Sequence, residues 1–137
     1  MITTDDVVAA ARSYIGTPWV HRGRDREGMD CAGLLIAVAR DLGLNYPGKL
    51  FYERLPDVAF ARALLEEFTE PEQEVKPGCI VLLTMARRPQ HMGFIGDYKQ
   101  EQSLIHSYMT VNRVCEHRID EKWRRRIVYA RRIKGVA

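Results

Sequence analysis

The chain has 137 residues, of which 46% are hydrophobic and 28% charged, and its formal net charge is +3. This is the make-up of one globular domain, read here as spanning residues 1–137, and such a domain buries roughly 70% of its unfolded surface. The longest apolar run, "CIVLLTMA" from Cys79, is far short of the ~20 residues of a membrane span, and three cysteines without CxxC spacing argue against a disulfide framework.

The opening "MITTDDVVAA" lacks the basic and long apolar regions of a secretory signal, so synthesis in the cytoplasm without a signal peptide is expected. Val7, Val8, Ala11, Tyr14 and Ile15 follow helical spacing. Thr3 or Thr4 can cap this helix, with Asp5 and Asp6 in its first turn, and Gly16 and Pro18 stop it. Residues 16–30, "GTPWVHRGRDREGMD", read as an irregular loop. A second helix begins near Cys31 with Asp30 as N-cap, ends before Gly43, and buries a stripe of Leu34, Leu35, Val38 and Leu42. A third is expected from Pro56 to about Phe68.

After "KPG" at 76–78 the pattern changes to strands: "CIVLLTM", "HMGFIGD", "SLIHSYM", "RVCEHRI" and "RRIVYARRI", separated by "RRPQ", "YKQEQ", "TVN" and "DEKW". Helices first and strands afterwards predict an α+β domain, N-terminal helices packed on an antiparallel sheet of about five strands. The charge is uneven along it. From Glu121 onward there are seven basic residues and one acidic, leaving fourteen basic and seventeen acidic in the remainder. A basic end of this kind fits an anionic partner or, more simply, an edge strand guarded by arginines. Strict alternation would put Arg126, Val128, Ala130 and Arg132 on one face and Ile127, Tyr129, Arg131 and Ile133 on the other. That split is poor for tracking a phosphate backbone, and no nucleic-acid partner is expected.

The stretch "GMDCAGLL" places a cysteine at the first turn of a helix. A free thiol is only a few per cent ionised at neutral pH, and a helix N-terminus favours the thiolate. Asp30 opposes that effect unless it is turned away as the N-cap. His21, His91, His106 and His117 are the candidate bases for Cys31. Neighbouring antiparallel strands can set His91 and His106 side by side, one facing the thiol and the other orienting it. His21 lies in the loop before the cysteine and Trp19 beside it, both candidates for substrate contact. Cys115 and His117 alternate on a strand and read as structural. A zinc site drawn from Cys31, Cys79, Cys115 and a histidine lacks the paired spacing of zinc modules, so no metal or cofactor is expected.

Taken in order, "YIGTPWVHRGRDREGMDCAGLLIAVARDLG", "PGCIVLL", "QHMGFIGD" and "LIHS" resemble the NlpC/P60 family of cell-wall cysteine peptidases. The resemblance implies a papain-like core and cleavage of peptidoglycan stem peptides, often between D-glutamate and a diamino acid. It assigns Cys31 as nucleophile, His91 as general base, His106 as its orienter, and Asp30 as the acidic neighbour holding the helix end or a substrate amine. "PWVH" and "WRRRIVYARRI" are most similar to the phage and gene-transfer-particle branch, implying a virion tail tip acting at the wall, with tail hub or tip proteins as partners. The chain departs from the family pattern at Trp19, where a tyrosine usually helps hold the oxyanion. It also departs at Ala32 (usually serine), Arg22 (usually glycine) and Cys79 (usually aspartate). Trp19 and Ala32 keep open a second reading, a structural or hub-binding tail subunit with weakened catalysis. A third is a thiol-dependent amidase or acyltransferase on the same fold.

Overall fold

The computed structural model describes residues 1–44, 63, 65–67 and 69–137. Helix α1, Thr4–Arg12, opens on a capping box: Thr3 Oγ1 accepts from the Asp6 N–H, and the Asp6 carboxylate accepts from the Thr3 N–H. The helix ends a turn earlier than its apolar spacing predicts. Tyr14 is buried beyond its end, its hydroxyl donating to Asp41, whereas Ile15, expected inward, is 47% exposed in the turn before Gly16. Inside the predicted loop, β1 (Arg24–Asp25) and β2 (Gly28–Met29) form a minimal hairpin.

Helix α2, Cys31–Asp41, matches its predicted bounds. Its burial does not match a stripe: Cys31 through Ala39 are all buried, so the helix is enclosed on every side. Gly33 shows how closely. A Cβ there would come within 1.8 Å of the Gly23 carbonyl oxygen, so only glycine lets the preceding loop lie on the first turn. The third predicted helix falls mostly outside the described residues; within it, Ala63 and residues 65–67 are helical and Leu65 is fully buried.

The remaining chain forms β3 (Thr69–Glu72), β4 (Ile80–Met85), β5 (Arg88–Tyr98), β6 (Glu101–Tyr108), β7 (Arg113–Arg118), a short helix α3 (Glu121–Arg124) and β8 (Ile127–Ile133). The sheet has six strands in the order β3-β8-β4-β5-β6-β7, every neighbouring pair antiparallel. The extra strand is β3, whose "TEPE" carries neither alternation nor β-branched enrichment beyond its threonine. It takes the edge, and β8 becomes interior. The arginines of β8 therefore do not guard an edge. Arg132 pairs with Glu70 at 2.6 Å, and Arg131 donates to the Thr69 hydroxyl and carbonyl at 3.0 Å. The expected alternation along β8 also breaks. Leu82 faces Tyr129 while Leu83 faces Ile127, so Val128 is bulged, and Ile127 joins the same cluster as Ala130.

Strand β4 has both faces covered. Ile80 and Leu82 join α1 and α2 in the main core, while Val81 and Leu83 pack with Cys79, Ile95 and Leu104 in a second cluster across the sheet. Cys79 is buried in that second cluster, as its packing role predicts.

Candidate active site

The site is assembled where the start of α2 meets the strand ends of β5 and β6. Asp30 caps α2 with one oxygen, Oδ1, which accepts from the Gly33 N–H at 2.8 Å. The other, Oδ2, accepts from the Arg22 N–H at 2.9 Å and lies 4.0 Å from His21 Nδ1. Asp30 is thus turned to hold the helix end and the loop, as expected of an N-cap, but its charge still bears on the Cys31 thiol. Arg22 holds a φ of +65°, a left-handed conformation that suits the glycine usual at this position.

Cys31 lines a pocket of about 180 Å³ together with Trp19, Asp30, Gln90, His91 and Tyr108. Its sulfur sits against the backbone N–H of Met92, one residue beyond His91, and against those of Ala32 and Cys31 itself. These donors favour a thiolate, yet burial and then the Asp30 charge outweigh them and push the thiol up to about 12. The helix N-terminus alone does not ionise this cysteine.

His91 is placed by an irregularity in the β4–β5 pair. Leu83 faces His91 and Thr84 faces Pro89, leaving Gln90 bulged beside that proline. Burial, and after it the Arg126 charge, lower His91 to about 4, so its imidazole is neutral. On β6, His106 extends the pairing to a point opposite Gly93, where a Cβ would lie 3.1 Å from that of His106 and 2.7 Å from Leu104 Cδ1. The missing side chain leaves room for the imidazole to turn toward His91.

Three histidines then form one chain of hydrogen bonds. His91 Nε2 is 2.6 Å from His106 Nδ1, His106 Nε2 is 2.8 Å from His117 Nε2, and His117 Nδ1 is 2.9 Å from the Arg118 carbonyl oxygen. The end of the chain decides the rest. A carbonyl can only accept, so neutral His117 carries its proton on Nδ1 and accepts on Nε2. His106 must then donate from Nε2 and accept on Nδ1, and His91 must donate from Nε2. His91 Nδ1 is left with its lone pair, the state a base needs. Burial lowers His106 well below the ordinary imidazole value, so the middle of the chain also stays neutral.

Tyr108 stacks on His106 with ring centroids 4.9 Å apart, and Trp123 meets His106 and His117 at 5.2 and 4.8 Å. Arg126 lies 4.5 Å over the Trp123 ring. Ser107 Oγ donates to the Met29 carbonyl at 2.6 Å, tying β6 to the loop just before the nucleophile.

Of the residues singled out from sequence, Trp19, Asp30, Cys31 and His91 line one pocket, and His106 stands behind His91. His21 lies behind that wall, stacked on Trp19 at 6.5 Å and facing Asp30. Sequence reasoning did not anticipate Gln90 and Tyr108 on the pocket wall, nor His117 in the chain. Tyr108 was accessible, since it alternates with His106 on one strand. Gln90 depended on the bulge.

The NlpC/P60 family model matches residues 16–132. No curated protein is similar enough in sequence to be matched. Among solved structures, the chain is similar to the NlpC/p60 domain of the peptidoglycan hydrolase SagA, at 20% identity and a TM-score of 0.65 over 94% of this chain and 97% of that one. It is similar to an N-acetylmuramoyl-L-alanine amidase from Bacteroides uniformis, at 14% identity and a TM-score of 0.67 over 96% and 99%. It also matches NlpC1 from Trichomonas vaginalis, at 16% identity and a TM-score of 0.68 over 94% of this chain but 44% of that one. At these identities the likeness is one of fold, the papain-like α+β core.

Proposed function

The chain belongs to the NlpC/P60 family and is a cysteine peptidase of the cell-wall hydrolase kind, and from that premise we propose that it is a peptidoglycan endopeptidase cleaving stem peptides at the D-glutamyl to diamino acid bond. One observation carries the reading: Cys31 at a helix start and His91 line the same pocket, and the chain behind His91 leaves Nδ1 as the ring's accepting atom.

In this mechanism Cys31 Sγ attacks the scissile carbonyl carbon as its proton passes to His91 Nδ1. The thiol stands at about 12 and His91 at about 4, so the resting pair is neutral and transfer accompanies attack. His91 returns the proton to the leaving amine. It then deprotonates the water that opens the thioester, freeing the acid and restoring the thiol. The N–H of Cys31 and the indole N–H of Trp19 serve as oxyanion donors. His106 is a positioning residue that holds the His91 ring and its tautomer.

The amidase among the structural neighbours supports a second reading, in which the muramoyl–alanine bond is cut. Digesting purified sacculi and identifying the soluble products by mass decides between them. Endopeptidase action gives fragments split within the stem, amidase action releases intact stems, and Cys31→Ala gives neither. Release of the same fragments by Cys31→Ala would refute both readings. For the enzyme's setting we propose the tip of a phage-like tail, with hub or tip proteins as partners and the wall as its site of action. That placement is supported by the resemblance of "PWVH" and "WRRRIVYARRI", and mass spectrometry of purified tail particles tests it.

A further inference from the structure

We propose that His106, Cys115 and His117 form a zinc site whose occupation switches off His91. His106 and Cys115 are direct cross-strand partners in the β6–β7 register, and His117 follows Cys115 by two residues, so all three project from one face of the sheet. One ligand atom from each lies within 4.8 Å of the others. Two imidazoles and a thiolate suit Zn²⁺, with the fourth tetrahedral position left to water.

The two Nε2 atoms stand 2.8 Å apart, and zinc between them needs about 3.3 Å, a small opening of two side chains. The surrounding bonds are those a ligating imidazole requires. His117 already donates from Nδ1 to the Arg118 carbonyl, and His106 Nδ1 already meets His91 Nε2.

The consequence for His91 follows from counting protons, and it rests on the peptidase reading above. Zinc on His106 Nε2 displaces the proton from that nitrogen to Nδ1. His106 now donates to His91 Nε2 instead of accepting from it, so His91 must carry its own proton on Nδ1. Each imidazole still holds one proton, and the only proton released to solvent is that of Cys115. His91 then has no lone pair for the Cys31 thiol, and attack stops without the metal touching the nucleophile.

Cobalt(II), as a spectroscopic stand-in for zinc, tests the site on the full chain. Wild type and Cys31→Ser should each show a thiolate-to-cobalt charge-transfer band saturating at one equivalent, and Cys115→Ser and Cys115→Ala should lack it. Metal-free Cys115→Ser should digest stem peptide at the wild-type rate and resist Zn²⁺ at least tenfold better, with chelator restoring the wild type. Nitrogen-15 spectra of the histidines should move the His91 proton from Nε2 to Nδ1 on zinc loading. A band that persists without Cys115 or vanishes without Cys31, equal zinc inhibition of both proteins, or an unmoved His91 proton would overturn the proposal. The band and the histidine spectra need no turnover, so an inactive protein would count against the peptidase reading while leaving the zinc site decided.

Discussion

Cys31 and His91 are both buried against the charge each must carry during turnover, which makes the pair behave unlike a resting thiolate–imidazolium. Alkylation of Cys31 in the free enzyme should therefore accelerate with every unit of pH through the alkaline range toward about 12, because the thiolate fraction is still rising there. A rate already flat between about pH 5 and 8 would show a preformed ion pair instead. Cys31→Ala and His91→Ala should each lower stem-peptide turnover by at least about 10⁴-fold, whereas His106→Ala should lower it by roughly 10–100-fold. Cys79→Ser should leave turnover unchanged, since that thiol is packed in the second cluster. The nucleophile was readable because an acidic N-cap, a cysteine and an apolar run occur together. His117 was not, because its place behind His106 depends on a register that pairs Leu104 with His117 and sets His106 diagonally across from it.

At the scale of elements, α1 is fastened to β7 by one ion pair. Arg12 Nε and Nη2 each donate to a different oxygen of Glu116 at 2.9 Å, and Ser103 donates to the same carboxylate at 2.7 Å. The Arg12 and Ser103 bonds hold Glu116 below the usual carboxylate range despite its burial. Its stabilising effect is present above the unfolded glutamate value and is lost as pH falls through the lower folded one. Glu116→Gln should cost up to about 1 kcal/mol at neutral pH, seen as a melting point lower by a few degrees. Gly93→Ala should lower both stability and turnover, as its Cβ meets buried Leu104 first and then His106, and the melting point and kcat read the two losses separately. Two features, the strand ends and the burial of α2, were misread for identifiable reasons. The turns at Ala86–Arg87 and Lys99–Gln100 hold positive φ without the Asn-Gly chemistry that marks such turns, so strand ends were placed short. Helix α2 was read as amphipathic because periodicity cannot report that its remaining faces are also covered.

Across the whole molecule, the basic C-terminal run is largely engaged internally. Arg124 bonds Gln102, Arg125 pairs with Glu121, Arg126 lies on Trp123, and Arg131 and Arg132 bind β3. Much of the charge asymmetry visible in sequence is thus spent on contacts within the fold. The main core is shared by α1, α2 and strands β4 through β8, so the helices and the sheet should unfold together. Scanning calorimetry should give one transition with equal calorimetric and van't Hoff enthalpies, and separate melting of the helical half would contradict this.

The interior position of β8 carries a consequence for the order of events at the ribosome. Strand β4 lies between β5 and β8, so a nascent chain that has emerged only as far as residue 126 already holds its nucleophile and all three histidines but leaves one flank of β4 bare. The sheet is completed only when residues 127–133 slot between β3 and β4. Until then β3 and β4 lack the strand that joins them, so a copy halted at residue 126 should melt well below the finished one.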